Sequence, residues 1–255
     1  MHNAAYQELS LPFTYVPFAL TEHQIPAAIG GMRALGIRGF GVSMPFKLNV
    51  MPHLDRVEPH AAAMGAVNTI VNTAGELVGH NTDALGAVGA LSEVMQLAGA
   101  RALILGAGGA ARAVAYGLCD AGAVVYVANR DAAKARQLVK NIREANICEP
   151  ALPVAVSLET LALDSYDVVI NATSVGMQSN PGCPVEPQRL SSRQIVMDIV
   201  YKPLVTEWLA ACRARGLVGV DGGRMLLHQA AGQFALYTGV AAPLSVMEQA
   251  LSAFL

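Results

Sequence analysis

The sequence predicts an α/β protein with two parts, a doubly wound parallel sheet and a smaller α/β lobe. The first observation is that short apolar runs alternate with helical patterns over residues 101–220, an order typical of parallel sheets. The second is that residues 14–80 alternate in the same way with shorter elements, and that helical patterns end the chain. We therefore assign residues 1–83 with 222–255 to the smaller lobe and residues 84–221 to the larger domain.

The elements of the smaller lobe follow from alternation and from helix signals. Thr21 can cap a helix that Gly36 ends, and Pro45 denies further ladder bonds to the strand before it. Residues 73–76 have the composition of a turn between two strands. The predicted strands are 14–19, 39–43, 67–71 and 77–80, and the predicted helices are 21–35 and 59–64.

In the larger domain, each apolar run leads into a turn and then a helical pattern. Asp83 can cap a helix that runs to about residue 97, and a second helix runs to about residue 120. The predicted strands are 101–105, 124–128, 154–156, 167–171, 194–199 and 217–220, and the later helices include 134–145 and 206–215. Helical stretches at 225–237 and 243–254 are expected to pack on the smaller lobe.

Composition and charge exclude several classes of protein. Of the 255 residues, 53% are hydrophobic and 14% are charged, which is typical of a globular chain and not of a disordered one. The net charge of −2 provides no basic surface for nucleic acid. The most apolar stretch, residues 102–128, is interrupted by Arg112 and Asp120, and residues 1–6 lack the features of a secretory signal. The expected partner is a small molecule, with neither nucleic acid nor membrane.

The cysteines indicate a reduced protein without a structural metal. No Cys-x-x-Cys motif is present, and no histidine stands at ligand spacing from a cysteine. The four cysteines are Cys119, Cys148, Cys183 and Cys212. A cytoplasmic location follows as the expectation, because structural disulfides belong to oxidising compartments.

A glycine-rich loop after the strand at 101–105 predicts dinucleotide binding. It reads Gly106-Ala107-Gly108-Gly109-Ala110-Ala111. Gly106 permits a tight turn, Gly108 lets the backbone approach a pyrophosphate, and Ala111 is small enough for close packing of helix against strand. The amino terminus of the following helix favours the anion. Because the loop lies between a strand and a helix, it indicates a Rossmann-type dinucleotide-binding domain.

The end of the next strand favours NADP over NAD. A carboxylate at this place binds the ribose 2′-hydroxyl of NAD, whereas an arginine accepts the 2′-phosphate of NADP. Asn129 stands where the carboxylate is expected, and Arg130 and Lys134 supply positive charge. Asp131 leaves NAD open, because its charge can either repel that phosphate or cap the next helix.

Lys47 and Asp83 are the candidate proton-transfer pair. Lys47 follows the proline turn at the end of one predicted strand, and Asp83 follows the end of another. An ammonium can donate a proton to a reacting oxygen or accept one from it, and a carboxylate can hold that ammonium in place. With a dinucleotide to supply hydride, this pair predicts an oxidoreductase.

Several short stretches resemble one known family along nearly the whole chain. They are Val42-Ser43-Met44-Pro45-Phe46-Lys47, Gly65-Ala66-Val67-Asn68-Thr69, Asn81-Thr82-Asp83, Gly106 to Ala111, Asn129-Arg130, Asn171-Ala172-Thr173-Ser174-Val175-Gly176-Met177, Tyr201-Lys202-Pro203-Leu204-Val205-Thr206, and Gly223-Arg224-Met225-Leu226 through Gln229. In this order they resemble the shikimate dehydrogenase family, whose reaction is the reversible NADP-linked reduction of 3-dehydroshikimate to shikimate. The resemblance implies a shikimate-like cyclohexene carboxylate as substrate and a monomer or homodimer.

The resemblance also implies roles for particular residues. Lys47 and Asp83 would be the catalytic pair, Asn68, Tyr201 and Gln229 would hold substrate hydroxyls, and Ser43 would lie on the carboxylate side. The cofactor would bind Gly106, Ala107, Gly108, Gly109, Ala110, Ala111, Asn129, Arg130 and Lys134, with Thr173, Ser174, Ile199 and Gly222 at the nicotinamide end. Two alternatives stay open: NAD-linked oxidation of quinate or shikimate, and a paralogue that binds nucleotide without turnover.

Two departures from the family pattern bear on the substrate. A strand and a Ser-x-Ser loop, which anchor the substrate carboxylate in the family, normally precede the stretch that here reads His2-Asn3-Ala4-Ala5. Gly41 replaces a substrate-binding asparagine and offers no side-chain donor. The expectation is therefore a shikimate-dehydrogenase-like paralogue with an incomplete amino terminus, whose site discriminates less sharply among shikimate, quinate and an aminated relative.

Overall fold

The chain divides into two compact units. The structure, a computed structural model, describes residues 1–145 and 152–254, so Cys148 lies outside the described residues. Unit 1 comprises Met1–Thr82 and Gln229–Phe254, and unit 2 comprises Asp83–His228. In the described part of the chain, no helix has the length and apolar character needed to cross a membrane.

Unit 1 contains a mixed four-stranded sheet. Its strands are β1 (Gly39–Gly41), β2 (Arg56–Val57), β3 (Thr69–Thr73) and β4 (Glu76–His80), and its first helices are α1 (His2–Glu8), α2 (Ile25–Ala34) and α3 (Pro59–Met64). The strand order is β1-β3-β4-β2, with β3 antiparallel to both neighbours and β2 parallel to β4. The tight turn between β3 and β4 places Ala74 and Gly75 at φ of 52° and 95°. Buried apolar side chains from α2, α3, β3 and β4 form the core beneath this sheet.

The strand predicted at residues 14–19 is wrong. Residues 11–20 contain neither helix nor strand in the structure. Alternation describes which side chains face a core, but a strand also needs a neighbour for its backbone bonds. Here the Asn3 side chain binds the Tyr15 backbone instead: Tyr15 N donates to Asn3 Oδ1 at 2.7 Å, and Asn3 Nδ2 donates to Tyr15 O at 2.9 Å. Asn3 belongs to α1, a helix without a capping side chain to mark its start in the sequence.

His2 lies in an aromatic cluster of unit 1 that also contains Tyr6, Tyr15, Phe234 and Tyr237. Its side chain is 7% exposed, and its ring stacks on Tyr15 with centroids 4.5 Å apart. Burial lowers the pKa of His2 from 6.5 to about 4, against the opposing effect of a hydrogen bond with Gln233. A charged imidazolium is therefore disfavoured in the folded protein.

Removing this histidine is expected to weaken the pH dependence of stability. Below pH 6.5 the unfolded chain takes up a proton on His2, whereas the folded chain does so only near pH 4, so stability falls as pH falls through this window. His2→Phe keeps an aromatic ring and should reduce the slope of unfolding free energy by up to about 1 kcal/mol per pH unit. Denaturant unfolding at a series of pH values measures it, with exposed His60→Gln as the control. Equal slopes in wild type and His2→Phe would contradict the expectation.

Unit 2 contains a parallel six-stranded sheet, which confirms the predicted fold class. Its strands are β5 (Arg101–Leu105), β6 (Val124–Ala128), β7 (Val154–Val156), β8 (Val168–Asn171), β9 (Ile195–Asp198) and β10 (Val218–Val220). Its helices are α4 (Asp83–Ser92), α5 (Gly109–Asp120), α6 (Ala132–Glu144) and α7 (Glu207–Ala214). α4 ends at Ser92, earlier than the predicted residue 97. Trp208 of α7 is fully buried in the core beside β8 and β9.

The strand order of unit 2 positions a ligand site. The order is β10-β9-β8-β5-β6-β7, so the chain leaves β5 in one direction and later returns to its other side at β8. In such sheets the ligand crevice lies at the carboxyl ends of the strands, where the order reverses. The glycine loop follows β5 directly, at that switch point.

Two helices complete the chain. α8 (Gly222–Thr238) begins in unit 2 and ends in unit 1, and α9 (Leu244–Ser252) belongs to unit 1, where it contacts α1. The predicted stretch at 225–237 therefore starts at residue 222 in the structure.

Candidate active site

Unit 1 brings two of the predicted substrate residues into one polar cluster. We call this set the Asn68 cluster: Asn68, Thr69, Thr82, Gln229 and Gln233. Asn68 Nδ2 donates to Gln229 Oε1 at 3.3 Å and to Thr82 Oγ1 at 3.1 Å, and its Oδ1 accepts from Thr69 Oγ1 at 2.7 Å and from Thr82 N at 2.9 Å. Gln233 Nε2 donates to Asn68 O at 3.2 Å. The cluster joins the start of β3, the segment after β4 and one face of α8.

Backbone bonds explain why an asparagine occupies a β-like position. Asn68 is 2% exposed, and a buried amide without partners would cost free energy. Val42 N donates to Asn68 O at 2.7 Å, and Asn68 N donates to His80 O at 3.0 Å, so Asn68 continues the sheet ladder on both sides. The Asn68 side chain is held in one orientation by its hydrogen bonds with Thr69, Thr82 and Gln229.

Ser43 and Lys47 lie on the segment that follows β1. Val42, bonded to Asn68, directly precedes Ser43, whose carbonyl accepts from Phe46 N at 3.0 Å. Lys47 is half-buried, and its carbonyl accepts from Val67 N at 2.9 Å. The bonds from Val42 to Asn68 and from Val67 to Lys47 tie the segment bearing Ser43 and Lys47 to the residues just before β3. Unit 1 therefore presents an ammonium and several amide groups on neighbouring backbone segments.

In unit 2, the glycine loop has the form of an anion cradle. Gly106 adopts φ of +118°, and a Cβ there would lie 2.7 Å from Ala172 O, so the turn requires glycine. By contrast, a Cβ on Gly108 or Gly109 would meet nothing within 4 Å, so space is open beside the loop. α5 begins at Gly109 with Gly108 as its N-cap, and Ala111 is fully buried. Open space at a helix amino terminus fits the pyrophosphate of a dinucleotide.

The end of β6 carries the predicted cofactor-selecting residues. Because Leu105 of β5 pairs with Ala128 of β6, the glycine loop and Asn129 both follow the ends of adjacent strands. Arg130 and Lys134 are exposed, and neither forms an ion pair with any described residue. The Asp131 side chain accepts from Ala133 N at 3.0 Å and caps α6. Of the two roles considered for Asp131, the structure shows capping.

The loops after β8 and β9 place the four remaining cofactor residues. Gly106 packs against the segment containing Thr173, and Ser174 Oγ accepts from Asn180 Nδ2 at 3.0 Å. A Cβ on Gly222 would lie 2.5 Å from the carbonyl oxygens of Ile199 and Val200, so α8 begins in close contact with the end of β9. The close contacts at Gly106 and Gly222, where a side chain would clash with backbone oxygens, therefore fix the positions of Thr173 and Ile199.

A buried network that sequence reasoning missed supports these loops. Asp198 is fully buried and accepts hydrogen bonds from Thr206 Oγ1, Asn171 Nδ2 and Val200 N at 2.7, 2.9 and 3.0 Å. Burial raises the pKa of the Asp198 carboxyl, against these hydrogen bonds, which lower it. Asn171 also binds the loop, because its Oδ1 accepts from Thr173 Oγ1 at 2.6 Å. The network holds the ends of β8 and β9 together.

Asp83 and Tyr201 belong to unit 2 but differ in burial. Asp83 is the first residue of α4 and is 9% exposed, whereas Tyr201 is 44% exposed. Thr82 and Gln233, two members of the Asn68 cluster, were not predicted as site residues. Gln233 had a signal, since it follows Gln229 by one helical turn on the same face of α8.

The titratable side chains that the structure describes do not form a metal site. Within residues 1–145 and 152–254, no group of three or more histidine, cysteine, aspartate or glutamate side chains is placed to hold a metal ion. Cys183 and Cys212 are free thiols.

Sequence models of one family match most of the chain. Residues 1–70 match the shikimate dehydrogenase substrate binding domain, residues 89–199 match shikimate / quinate 5-dehydrogenase, and residues 222–251 match the shikimate 5′-dehydrogenase C-terminal domain. The NADP(+) shikimate dehydrogenase of Geobacillus kaustophilus is 45% identical over 245 residues, covering 94% of this chain and 87% of that protein.

Solved structures show the same fold. A crystal structure of a shikimate dehydrogenase in complex with NADP+ has a TM-score of 0.92 at 36% identity, covering 99% of this chain and 89% of the other. The ligand-free 5-ketofructose reductase of a Gluconobacter strain also has a TM-score of 0.92, at 34% identity, covering 100% of this chain and 92% of the other. The structures similar to this chain therefore include a reductase whose name gives a substrate other than shikimate.

Proposed function

Because the chain belongs to the shikimate dehydrogenase family, we propose that it catalyses the reversible NADP-linked reduction of 3-dehydroshikimate to shikimate. The chain is an NADP-dependent oxidoreductase. The observation that carries the substrate proposal is the Asn68 cluster, in which Asn68 and Gln229 lie next to the backbone segment that bears Lys47. Amide groups held in this way can bind the hydroxyls of a polyol ring.

The residues of unit 2 fit the cofactor. The open space beside Gly108 and Gly109 matches a pyrophosphate, and exposed Arg130 and Lys134 match a 2′-phosphate. NADPH, when bound, supplies the hydride for the carbonyl carbon. Thr173 and Ile199, held in place by the close contacts at Gly106 and Gly222, would orient the nicotinamide end of the cofactor.

Lys47 and Asp83 supply the proton in this proposal. As the ring ketone is reduced, negative charge develops on its oxygen, and the Lys47 ammonium donates a proton to it. Asp83 stabilises the ammonium and shares the proton. In the reverse direction, the same pair removes the proton of the hydroxyl. The overall reaction consumes one hydride and one proton for each ketone reduced.

The substrate residues have separate roles in this proposal. Asn68 and Gln229 bind ring hydroxyls, Tyr201 contributes a further hydroxyl contact, and Ser43 lies toward the carboxylate. Unit 1 would be the substrate lobe and unit 2 the nucleotide domain. A cytoplasmic monomer or homodimer is proposed with this function.

The direct test is shikimate-dependent formation of reduced cofactor, followed by its near-ultraviolet absorbance. NADP and NAD are compared with shikimate, and quinate and 5-ketofructose are tested as second substrates. We expect turnover with NADP and shikimate to exceed every other combination. Higher turnover with quinate or 5-ketofructose than with shikimate would overturn the substrate proposal. Cofactor binding without any turnover would favour a paralogue that binds nucleotide without catalysis.

Replacing Arg130 should weaken NADP use selectively. A guanidinium donates charge-assisted hydrogen bonds to a phosphate that NAD lacks. We expect Arg130→Gln to raise KM for NADP by about tenfold to a hundredfold, with little change in KM for NAD. Steady-state kinetics with both cofactors measures the ratio, and exposed Arg193→Gln is the matched control. An equal loss with both cofactors would show that Arg130 does not read the 2′-phosphate.

A further inference from the structure

The Tyr15 hydroxyl occupies the space that a side chain at Gly41 would need. A Cβ added to Gly41 would lie under 3.0 Å from Tyr15 Oη, a distance that real Cβ atoms essentially never show. The same Cβ would lie 3.6 Å from Tyr15 Cζ and 3.6 Å from Gln233 Nε2, both ordinary contacts. Gly41 lies in β1 and does not have a positive φ. A side chain at position 41 would therefore require the Tyr15 hydroxyl to shift, whereas the backbone conformation there does not itself require glycine.

Tyr15 is held in this place from two sides. Its backbone N and O are both bonded to the Asn3 side chain, at 2.7 and 2.9 Å. Its ring stacks on His2, with the two planes 16° apart. Burial raises the pKa of Tyr15, so the phenol stays protonated and keeps its O–H donor.

The Tyr15 hydroxyl adjoins the Asn68 cluster. Gln233 Nε2, which lies near position 41, donates to Asn68 O at 3.2 Å and to Thr69 Oγ1 at 3.1 Å. Gln229, one turn earlier on α8, accepts from Asn68 Nδ2. The Tyr15 hydroxyl itself makes no hydrogen bond to another residue in the described ranges, so its donor is available beside groups already proposed to bind substrate.

We propose that Tyr15 is a specificity-determining residue, whose hydroxyl donates a hydrogen bond to a ring hydroxyl of the substrate over Gly41. The inference rests on the proposed function and deepens it, because position 41 has no side chain to make such a bond. The ligand class is a polyhydroxylated ring with an alcohol or ketone. Tyr15 and Gly41 act as a pair: the small residue leaves room, and the tyrosine fills it with a donor.

The first experiment compares Tyr15→Phe with Tyr6→Phe. Tyr6 is a buried tyrosine of the same aromatic cluster, stacked on Phe234 at 5.2 Å, and it is absent from the contacts of position 41. Loss of one neutral hydrogen bond should lower kcat/KM for shikimate about threefold to tenfold in Tyr15→Phe, mainly through KM. KM for NADP should not change, and Tyr6→Phe should stay within about twofold of wild type.

A double-mutant cycle tests whether the two positions act through the same hydroxyl. In Gly41→Ala the new methyl displaces the Tyr15 hydroxyl, so this variant should lose thermal stability and at least as much kcat/KM as Tyr15→Phe. In the double variant the methyl keeps only its ordinary contacts, with the ring carbon Cζ and with Gln233 Nε2, each at 3.6 Å, so stability should return. The double variant should also be no worse in kcat/KM than Gly41→Ala alone, because one hydrogen bond cannot be lost twice.

The outcomes separate this inference from the proposed function. Wild type that fails to oxidise shikimate with NADP overturns the proposed function, and the Tyr15 inference with it. Active wild type with equal kinetics in Tyr15→Phe and Tyr6→Phe overturns the Tyr15 inference alone. Additive losses in the double variant would also overturn it, because they would show two independent effects. Melting temperatures of all variants establish that each is folded when assayed.

Discussion

Lys47→Ala is expected to lower kcat by about a hundredfold to ten-thousandfold while leaving NADPH affinity close to that of wild type. In the proposed mechanism, the Lys47 ammonium protonates the ketone oxygen as negative charge develops on it, and an alanine side chain has no proton to donate. The cofactor loop and the end of β6 belong to unit 2, whereas Lys47 belongs to unit 1, so the variant leaves every proposed cofactor residue in place. Steady-state kinetics gives kcat, and titration of the NADPH fluorescence gives the affinity.

Lys140→Ala is the matched control for this change. Lys140 is an exposed lysine of α6 whose ammonium lies 3.7 Å from the Glu144 carboxylate, and exposed pairs of this kind contribute little. We expect its kcat to stay near that of wild type. If Lys47→Ala keeps the turnover of wild type, Lys47 does not take part in proton transfer.

The second large effect is expected from paired substitutions in the glycine loop. Gly106→Ala should destabilise the protein by about 2–4 kcal/mol, because φ of +118° is unfavourable for alanine and its methyl would lie 2.7 Å from Ala172 O. Gly108→Ala should leave stability near wild type, since a methyl there meets nothing within 4 Å. Gly106 is therefore expected to affect the stability of the fold, and Gly108 the binding of the cofactor.

Gly108→Ala should instead weaken NADPH binding by about tenfold or more, because its methyl would enter the space proposed for the pyrophosphate. Denaturant unfolding measures the first effect and calorimetric titration measures the second. Wild-type affinity in Gly108→Ala would mean that the pyrophosphate lies elsewhere. Wild-type stability in Gly106→Ala would mean that the turn relaxes to accept a side chain.

The sequence predicted unit 2 well because its signals are local. Each strand of a parallel sheet is a short apolar run, and each crossover begins with a turn and a helix pattern, so the order of elements was readable without knowledge of contacts. The same holds for the loop of Gly106, Gly108 and Ala111, whose function depends on small residues at fixed spacing. For these features the structure added positive φ at Gly106 and open space at Gly108.

Unit 1 was less predictable because its elements are short and depend on distant partners. Alternation at residues 14–19 suggested a strand, but Asn3 binds the Tyr15 backbone there. An asparagine inside a β-like run drew attention to Asn68, but its role was implied by family resemblance, and Gln229 could be proposed only from that resemblance. Their contact unites residues that are far apart in the chain, and no local pattern encodes it.

By itself, then, the sequence determined the α/β class, the parallel sheet, the cofactor loop and the candidate roles of Lys47 and Asp83, since these rest on residue type and spacing within a short segment. Only the tertiary structure decided that Asn68, Thr82, Gln229 and Gln233 form one network, and that the Tyr15 hydroxyl fills the place beside Gly41. The physical reason is that local patterns specify elements, whereas packing between elements specifies which distant polar groups meet.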